Sequence, residues 1–491
     1  MEKITKTSAL IQKLRIPSLQ VRWITVKTRF KLEDDLQKRI DEELVKPRAH
    51  PGVIKKKLIN IPEWIVEAMN ENLDDYKDEV LKQHKKFSNY LFSRRLPLEE
   101  HQLKQKYLDI EADMLGDQVN QLSEDELYET RKKIKGKAYK KLKEKVFSWK
   151  ALDYDDFRSS LYMVTRGAPE YAVLSRIFSE IQVRDPEFKP TTIFDFGSGV
   201  GSVLWAANET WKSITEYTGI DISEKISDLA QKVNKSSPTQ VKGVYYRQYL
   251  PVSNLKSDIV VSAFSLMELP NAKNRLEVLA KLWRKTNKYL VIVEQGSYAG
   301  FTLVNEARDF IRHVMEKIDK SDYFTFAPCP HDLPCPKRKG ADRIPCNFLV
   351  QYRPLRLLGS NETKNELFSY VVLKKSVRKE EDSWHRCVGP TLLRSKHVRC
   401  RFCTPDGNLE EVVFSPGRDG RLLYRCAKAT RWGARLAIKP KSPDEMSNGV
   451  CDQNSPSTET NDEESDDELG QTEEVEVSTL KDPGATFNNE K

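Results

Sequence analysis

The eight cysteines of this 491-residue chain all lie between Cys329 and Cys451. Cys329 and Cys335 belong to the run Cys-Pro-His-Asp-Leu-Pro-Cys-Pro, and Cys346 follows shortly after it. Thiols kept for packing would be scattered through the apolar segments, but residues 1–328 contain none. The clustering therefore predicts a metal site rather than a loop with a few inert thiols.

A site built from thiolates needs a fourth ligand, and a Cys-x-x-Cys pair lies downstream. Cys400 and Cys403 form this pair, and the Pro-Asp-Gly turn that follows would hold Cys403 on a tight loop. Four thiolates can bind zinc or carry an iron–sulfur cluster. Zinc sites usually use two short Cys hooks, whereas this chain offers one hook and wider gaps elsewhere. The spacing favours an iron–sulfur cluster and leaves zinc open.

A second candidate site is a glycine-rich turn. Residues 191–196 form a short β-rich run, residues 197–201 read Gly-Ser-Gly-Val-Gly, and a helical pattern follows. Strand, glycine turn and helix together predict a nucleotide cradle, because glycines permit a tight turn and helix amides can meet a polar group. A further strand ends in Asp221, where a carboxylate can accept hydrogen bonds from ribose hydroxyls.

These segments require alternating strands and helices to position them. Two more strands are predicted at 258–262 and 289–293, with a helix at about 272–284 between them. A hairpin-like pair at 347–352 and 368–374 would add the far edge of the sheet. The pattern predicts an α/β, Rossmann-like fold. An NAD-binding domain is the alternative, although the third glycine of its fingerprint falls one place later.

The acceptor side of this fold lacks an evident catalytic group. The residues after the fourth strand are Ser-Ala-Phe-Ser (262–265), without the acidic or amide residue, prolines and aromatic that base-methylating families carry there. No cysteine precedes Cys329 to attack a pyrimidine ring. Glu268 and Glu294 are in plausible cleft positions, but capping a helix or ending a strand is the favoured interpretation of each. We therefore assign no catalytic residue.

Charge divides the chain into a basic body and an acidic end. The net charge is +8, but residues 441–491 carry fifteen Asp or Glu against three Lys or Arg, a net of −12, which leaves +20 on residues 1–440. The tail has too little apolar surface to order itself, so we predict an acidic disordered tail over 441–491. The excess positive charge of the body favours a polyanionic partner. No apolar run approaches the roughly 18 residues of a membrane span, so we expect no membrane insertion.

The N-terminal region is predicted in two parts. Residues 1–32 contain eight basic side chains and one acidic one, with hydroxyl and apolar residues between them. This composition predicts a mitochondrial transit peptide and a matrix location, with a nucleic-acid-binding arm as the alternative. Residues 33–150 are predicted to be helical and basic. Pro62 should open one helix, and Ser123 with Glu126 makes a capping-box signal for another. The lysines of 131–145 either contact phosphates or form a solvated helix face.

Residues 377–440 form a basic extension that we expect to be β-rich and to complete the metal site. Three aromatic residues, Phe402, Tyr424 and Trp432, lie among its basic side chains. The basic residues that we consider as RNA contacts are Arg394, Lys396, His397, Arg399, Arg401, Arg418, Arg421, Arg425, Lys428, Arg431 and Arg435. Interleaved cations and rings predict phosphate contacts and stacking surfaces for RNA. A solvated surface with structural aromatics is the alternative.

The combination of motifs resembles the mitochondrial methyltransferase-like protein 17 family, which includes small-subunit ribosomal components and assembly factors. The resemblance covers about residues 150–435 and rests on the glycine loop, the Cys-Pro-His-Asp-Leu-Pro-Cys-Pro segment, Cys346 and the Cys-x-x-Cys-x-Pro-Asp-Gly segment. It implies an S-adenosylmethionine-dependent methyltransferase fold at 151–376 with a cysteine-rich insertion at 327–347. It also implies a [4Fe-4S] cluster and binding to the maturing small mitoribosomal subunit, with methyl transfer in doubt.

Residue roles carried over from the resemblance are as follows. The cluster ligands would be Cys329, Cys335, Cys346 and Cys403, with Cys400 as the substitute for Cys403. The S-adenosylmethionine-binding positions would be Asp195, Gly197, Gly199, Gly201 and Asp221. Cys387, Cys426 and Cys451 receive no role.

The sequence thus predicts a mitochondrial small-subunit assembly factor that binds rRNA and ribosomal proteins, without DNA and without a catalytic residue. An active S-adenosylmethionine-dependent rRNA methyltransferase is one alternative. A zinc-stabilised RNA-binding module without a small ligand is the other.

Overall fold

The computed structural model describes residues 24–25, 28–54, 58–73, 75–116, 122–146, 149–253, 255–315, 317–318, 321–339, 343–359 and 362–442. The predicted acidic tail, with Cys451, lies outside these residues except for its first two positions, and so does most of the predicted transit peptide. No helix within the described ranges is both long and apolar enough to cross a bilayer.

The N-terminal part of the chain is mostly helical. Its elements are β1 (Ile24–Thr25), β2 (Phe30–Leu32), α1 (Asp34–Asp41), β3 (Leu58–Ile59), α2 (Glu63–Glu71), α3 (Lys77–Ser93), α4 (Glu100–Leu115) and α5 (Glu124–Lys145). The predicted helix after Pro62 is confirmed, with Pro62 at its N-cap position. The predicted capping box is confirmed too, because Ser123 and Glu126 each accept a hydrogen bond from the backbone N–H of the other.

The middle of the chain alternates strands and helices, as predicted. Its elements are α6 (Asp156–Arg184), β4 (Thr192–Phe196), α7 (Ser202–Thr210), β5 (Glu216–Ile220), α8 (Glu224–Lys235), β6 (Gly243–Arg247), β7 (Ser257–Ala263), α9 (Ala272–Lys285), β8 (Thr286–Gln295), α10 (Tyr298–Phe310), β9 (Phe324–Ala327), β10 (Phe348–Tyr352) and β11 (Lys364–Lys374). The predicted hairpin-like pair is confirmed, since Phe348 of β10 pairs with Phe368 of β11 in an antiparallel register.

One large sheet of the described residues joins these strands in the order β3-β10-β11-β8-β7-β4-β5-β6, with β9 paired to β11. The five strands from β8 to β6 are parallel, and β11 is antiparallel to both β8 and β10. The chain runs outward from β4 to β6 and then returns to the other side of β4 at β7. This switch point leaves a crevice at the carboxyl ends of the strands, where open α/β sheets bind ligands. The topology is that of a Rossmann-like methyltransferase domain.

The core of this domain is formed by the sheet and α6. Strand β8 is buried over Tyr289–Glu294, a continuous run typical of a strand covered on both faces. Phe178 of α6 and Trp205 of α7 are almost fully buried in the same cluster as Val291. Burying such large side chains supplies roughly 1.5–3 kcal/mol each, which fixes the helices that carry the crevice residues.

The C-terminal region forms a second sheet. Its elements are β12 (His385–Cys387), β13 (Leu392–Leu393), β14 (Val398–Cys403), β15 (Leu409–Phe414), α11 (Pro416–Asp419), α12 (Arg421–Ala429), β16 (Arg435–Leu436) and β17 (Ile438–Pro440). The strand order among described residues is β1-β15-β14-β12-β16, with β13 beside β14. The N-terminal strands return to this region, because β1 pairs with β15 at the edge of the sheet and β2 pairs with β17 in a separate two-stranded sheet.

The pairing of β2 with β17 bears on the last residues of the predicted transit peptide, 1–32. Phe30 and Leu32 are each 3% exposed and belong to the core of the C-terminal sheet. Residues 30–32 are therefore part of the folded protein.

Candidate cysteine cluster and donor cleft

The four predicted metal ligands lie around one cavity. Cys329, Cys335, Cys346 and Cys403 all line the same small cavity. All four are free thiols; Cys335 and Cys403 are buried, while Cys329 and Cys346 are partly exposed. Within the part of the chain that the structure describes, no group of three or more His, Cys, Asp or Glu side chains is arranged to hold a metal ion.

The cavity lies where the large sheet meets the C-terminal sheet. Cys329 follows the end of β9, and Cys346 stands just before β10, so both are held by strands of the large sheet. Cys403 is the last residue of β14 in the C-terminal sheet. Whatever the four thiols bind would therefore join the two sheets.

Cys400 is directed away from this cavity. Side chains on a strand alternate between its two faces, so residues three apart point in opposite directions. Cys400 is fully buried in the core of the C-terminal sheet, and its Sγ lies 3.7 Å from the carbonyl oxygen of Ala427. Cys387 and Cys426 belong to the same core. Strand geometry thus places Cys403 at the cavity and Cys400 in the core of the C-terminal sheet.

Buried cations surround the cysteine cavity. Lys337 and Arg386 line it and are 7% and 2% exposed. Arg308 is 2% exposed and donates to the carbonyl oxygen of Leu333 at 2.6 Å, inside the cysteine loop. Burial lowers the pKa of Arg308, but Cys329 and Asp309 raise it overall. Such side chains are costly to bury without negative charge nearby. Glu180 beside Arg386 and Asp309 beside Arg308 supply part of it, and thiolates in the cavity would add to it.

Arg386 connects three parts of the structure. It donates from Nε to the Pro328 carbonyl at 2.8 Å, from Nη1 to the Gly433 carbonyl at 2.6 Å and from Nη2 to Glu180 Oε1 at 2.6 Å. Burial alone would raise the pKa of Glu180, but Arg386, Arg176 and Arg184 hold it well below its usual value. Arg386 therefore ties the cysteine loop and the C-terminal sheet to helix α6.

His331 is a site residue that the sequence analysis did not assign. Its Nε2 lies 3.2 Å from Cys403 Sγ, and the side chain is 3% exposed. Burial is the main reason that its pKa falls to about 4, so the imidazole is neutral at ordinary pH. The only signal in the sequence is its position within the Cys-Pro-His-Asp run. A neighbouring N–H group tunes thiolate-bound metal centres.

Three of the four thiols hold their protons more tightly than an ordinary thiol: Cys335, Cys346 and Cys403. Burial raises the pKa of Cys346 to about 11. Burial together with the neighbouring thiols also raises the pKa of Cys335 and Cys403. Metal ligation requires the thiolate, so binding would release protons and return negative charge to a cavity lined with cations. The donor set therefore fits a thiolate-bound metal centre.

The glycine loop has the backbone that its sequence predicts. Gly197, Gly199 and Gly201 have φ of 72°, 49° and 90°, in the left-handed region that favours glycine. A Cβ on Gly197 would lie 2.3 Å from the Cβ of Ser265, so no side chain fits there. Gly201 occupies the N-cap of α7. The strand, turn and helix arrangement is confirmed.

The two predicted acidic residues have different surroundings. Asp221 accepts hydrogen bonds from the backbone N–H of Gly199 at 2.9 Å and of Ser223 at 3.0 Å, so it shapes the loop. Asp195 is fully buried beneath the loop and accepts from Tyr217 Oη at 2.7 Å. Burial raises the pKa of Asp195 to about 7. The loop and both carboxyl groups meet at the ends of β4 and β5.

A second cavity lies at the same edge of the sheet. Tyr162 of α6 and Phe264, Glu268 and Glu294 are among its lining residues. A Cβ on Gly199 would be 4.0 Å from the Tyr162 ring, so this cavity adjoins the glycine loop. Both glutamates have structural partners: Glu294 accepts from the N–H of Leu266 at 2.8 Å, and Glu268 pairs with an arginine. We call this cavity the donor cleft.

The C-terminal basic residues divide into exposed and internal ones. The exposed cations are Arg394, Lys396, Arg418, Arg421, Arg425, Lys428 and Arg431. Two predicted RNA contacts are wrong, because Phe402 is fully buried and Arg435 is 7% exposed. Phe402 faces inward on β14, and Arg435 donates to the Glu381 carbonyl at 2.7 Å. Trp432 is partly buried and donates to the Asn347 carbonyl at 3.0 Å.

The fold and the glycine loop define a Rossmann-like methyltransferase domain, here joined to a cysteine-lined cavity. The sequence profile of the family described as "Mitochondrial small ribosomal subunit Rsm22" matches residues 156–437. The chain belongs to the Rsm22 family.

Its relatives carry mitochondrial names. The human protein "Ribosome assembly protein METTL17, mitochondrial" is 38% identical over 400 residues, which cover 80% of this chain and 86% of that protein. "Rsm22-cox11 tandem protein 2, mitochondrial" of Schizosaccharomyces pombe is 23% identical over 55% of this chain and 42% of its own length. Among solved structures, a SAM dependent methyltransferase from Aquifex aeolicus covers 46% of this chain and all of its own, with 14% identity and a TM-score of 0.28. The plantazolicin methyltransferase BpumL in complex with SAH covers 45% of this chain and 91% of its own, with 15% identity and a TM-score of 0.30.

Proposed function

We propose that this protein is a mitochondrial assembly factor for the small ribosomal subunit, located in the matrix and carrying a [4Fe-4S] cluster. In this proposal the cluster joins the methyltransferase-like domain to the C-terminal sheet, and the exposed cations of that sheet bind rRNA. Family membership and the name of the human relative support the ribosomal role. A transit peptide ending before Phe30 would deliver the protein to mitochondria.

The observation that carries the proposal is the meeting of Cys329, Cys335, Cys346 and Cys403 around one cavity. In a tetranuclear cluster each iron takes one cysteine thiolate, so four thiols spread around a cavity suit it. Zinc, in contrast, draws four sulfurs to about 2.3 Å from one point. The buried Arg308, Lys337 and Arg386 suit a centre with net negative charge.

The position of the cavity explains how cluster loss would affect RNA binding. Cys329, Cys335 and Cys346 are in the loop between β9 and β10, while Cys403 belongs to the C-terminal sheet. Without the cluster, the raised pKa values of Cys335, Cys346 and Cys403 leave neutral thiols beside buried cations. The joint between the two sheets then weakens, and the basic surface is no longer held in a fixed position. Ribosome maturation would thereby depend on iron–sulfur supply.

The glycine loop supports S-adenosylmethionine binding at Asp195, Gly197, Gly199, Gly201 and Asp221. The left-handed glycines leave room for close approach of a ligand, and Asp221 stands at the end of β5. This arrangement also favours a second candidate function, an rRNA methyltransferase. The lack of an acceptor motif after β7 makes the assembly role our first choice.

Sedimentation of mitochondrial extracts tests the proposal. We expect Cys335→Ser to leave the small-subunit fractions, whereas Cys400→Ser, which changes a thiol of the C-terminal core, should remain in them. Undiminished comigration of Cys335→Ser with the small subunit would refute the cluster-dependent docking.

Mapping of rRNA methyl marks separates the two candidate functions. Gly199→Ala should leave every small-subunit mark intact if the protein only assists assembly. A specific mark that disappears in Gly199→Ala would establish methyl transfer instead.

A further inference from the structure

The donor cleft is covered by a part of the chain that precedes the family match. The match begins at residue 156, but Leu91 and Arg94 line the cleft together with residues of the methyltransferase-like domain. Leu91 is 5% exposed and Arg94 is 8% exposed. Helix α3 and the turn after it therefore lie across the carboxyl ends of the parallel strands, where ligands enter this fold.

Arg94 forms a tight ion pair with Glu268. Its Nη2 lies 2.9 Å from Glu268 Oε2, and Nη1 also donates to this carboxylate. The Arg94 side chain is 6% exposed and that of Glu268 is 28% exposed. Arg94 Nη2 also donates to the Lys150 carbonyl at 3.3 Å, while Glu268 accepts from the N–H of Leu152 at 3.2 Å. The pair thus fastens two N-terminal segments to the residues that follow β7.

Contacts on both sides of this pair hold the same segments. Trp149 Nε1 donates to the Met267 carbonyl at 3.1 Å. Glu99 accepts from the N–H of Ala272 at 3.0 Å and from Arg275 Nη2 at 2.9 Å. The segments of residues 91–99 and 149–152 are therefore anchored at several points to the stretch between β7 and α9.

The position where base-methylating enzymes present their acceptor groups is itself covered. Phe264 directly follows β7 and has φ of 56°, a strained value for an aromatic residue. The guanidinium of Arg166 lies 5.3 Å from the centre of its ring and 5.5 Å from the ring of Phe92 in α3. Arg166 is itself fixed by Glu366, at 2.9 Å. An N-terminal aromatic residue and a buried cation thus stand beside the acceptor position.

We propose that residues 91–99 and 149–152 close the acceptor side of the donor cleft through the Arg94–Glu268 pair, so that the closed cleft admits a small ligand beside the glycine loop but no RNA base. Methyl transfer needs the acceptor atom at about 3–3.5 Å from the methyl carbon, approaching at the carboxyl ends of the strands. Met267 is 7% exposed and Glu294 is 1% exposed at those ends. The N-terminal segment therefore determines which class of molecule reaches the cleft.

Hydrogen exchange of the full-length protein tests the closure. We expect Arg94→Ala to speed amide exchange in residues 149–153 and 264–268 at least about tenfold, the change produced by losing about 1.4 kcal/mol of local stability. Glu268→Gln keeps the shape of the carboxylate and removes its charge, so it should give a smaller change in the same segments. Lys374→Ala is the control. It breaks the half-buried ion pair between Lys374 of β11 and Asp185, which lies beside the start of β8, at the opposite end from the donor cleft. It should leave both segments protected.

Solvent access to the acceptor side gives a second readout. A short pulse of hydroxyl radicals should oxidise Met267 little in the wild type and several-fold more in Arg94→Ala. The proposal is overturned if residues 149–153 are already unprotected in the wild type, or if Arg94→Ala changes neither readout. The proposal also fails if Arg94→Ala and Glu268→Gln both speed amide exchange throughout residues 290–293 of β8. Arg94 would then support the whole fold instead of a local closure.

Discussion

Replacing Arg386 by methionine should separate the role of the buried cation from that of the cysteines. Methionine fills similar space with an adaptable apolar side chain and removes the guanidinium. The wild-type side chain, 2% exposed, donates to the carbonyls of Pro328 and Gly433 and to Glu180. The substitution therefore removes the link from helix α6 to the cysteine loop and the C-terminal sheet.

The magnitude follows from what remains around Glu180. Removing one partner of a buried ion pair usually costs about 3–5 kcal/mol, because the other charge is left unpaired. Here Glu180 keeps Arg184 Nη1 at 3.0 Å and Arg176 Nη1 at 3.4 Å. The carboxylate is therefore still compensated, and we expect the lower end, about 3 kcal/mol of unfolding free energy.

Urea denaturation followed by tryptophan fluorescence measures this loss. Arg401→Met is the matched control, because the Arg401 side chain is 34% exposed and pairs with Glu411 at 2.9 Å. A partly exposed pair of this kind contributes about 0–1 kcal/mol. A loss below about 1 kcal/mol for Arg386→Met, or one equal to that of the control, would refute the reasoning.

Three further changes have defined outcomes. Burial raises the pKa of Glu294 to about 8. Over this range Glu294 is protonated in the folded protein and ionised in the unfolded chain. Its contribution to the free energy of unfolding should therefore fall as pH rises from about 5 through 8, by at most about 1.4 kcal/mol per pH unit. Glu294→Gln should flatten that slope in unfolding curves measured across this range; an unchanged slope would place the titrating group elsewhere. Gly197→Ala should abolish binding of S-adenosylhomocysteine in calorimetry and destabilise the fold, because its Cβ would meet Ser265 at 2.3 Å. Gly136→Ala, in an exposed helix with nothing within 4 Å, should instead stabilise the protein by up to about 1 kcal/mol, and equal effects of the two would contradict the clash. Leu32→Ala should cost roughly 2–5 kcal/mol in the same unfolding assay, and no loss would mean that β2 does not complete the C-terminal core.

Local patterns in the sequence were sufficient to predict the alternating strands and helices of the methyltransferase-like fold. The Gly-Ser-Gly-Val-Gly turn predicts the strand and helix on either side of it, and Ser123 with Glu126 predicts where α5 begins. These features depend on neighbours within a few residues, so a periodic pattern or a cap is enough to reveal them.

Features that depend on distant partners were not accessible in this way. The pairing of β2 with β17 joins opposite ends of the described chain, and no local signal marks Phe30 as a core residue. Phe402 has the spacing of a stacking residue in a basic segment, but strand alternation turns it inward. The Arg94–Glu268 pair likewise brings together segments that only the folded sheet places side by side.

The cysteine site was predictable only in part. Proline-rich spacing identified the cluster of thiols, but the choice between Cys400 and Cys403 depends on which face of β14 each occupies. His331 was missed because its contact with Cys403 forms only when the two sheets meet.

Metal analysis of the anaerobically purified protein tests the central claim most directly. We predict about four iron atoms and four acid-labile sulfides per wild-type chain, with a visible absorption band typical of iron–sulfur proteins. Cys400→Ser should retain the iron and the sulfide, while Cys403→Ser should lose most of both, since Cys403 lines the cavity and Cys400 does not. Stoichiometric zinc in the wild type, or equal loss of iron from the two variants, would contradict the account.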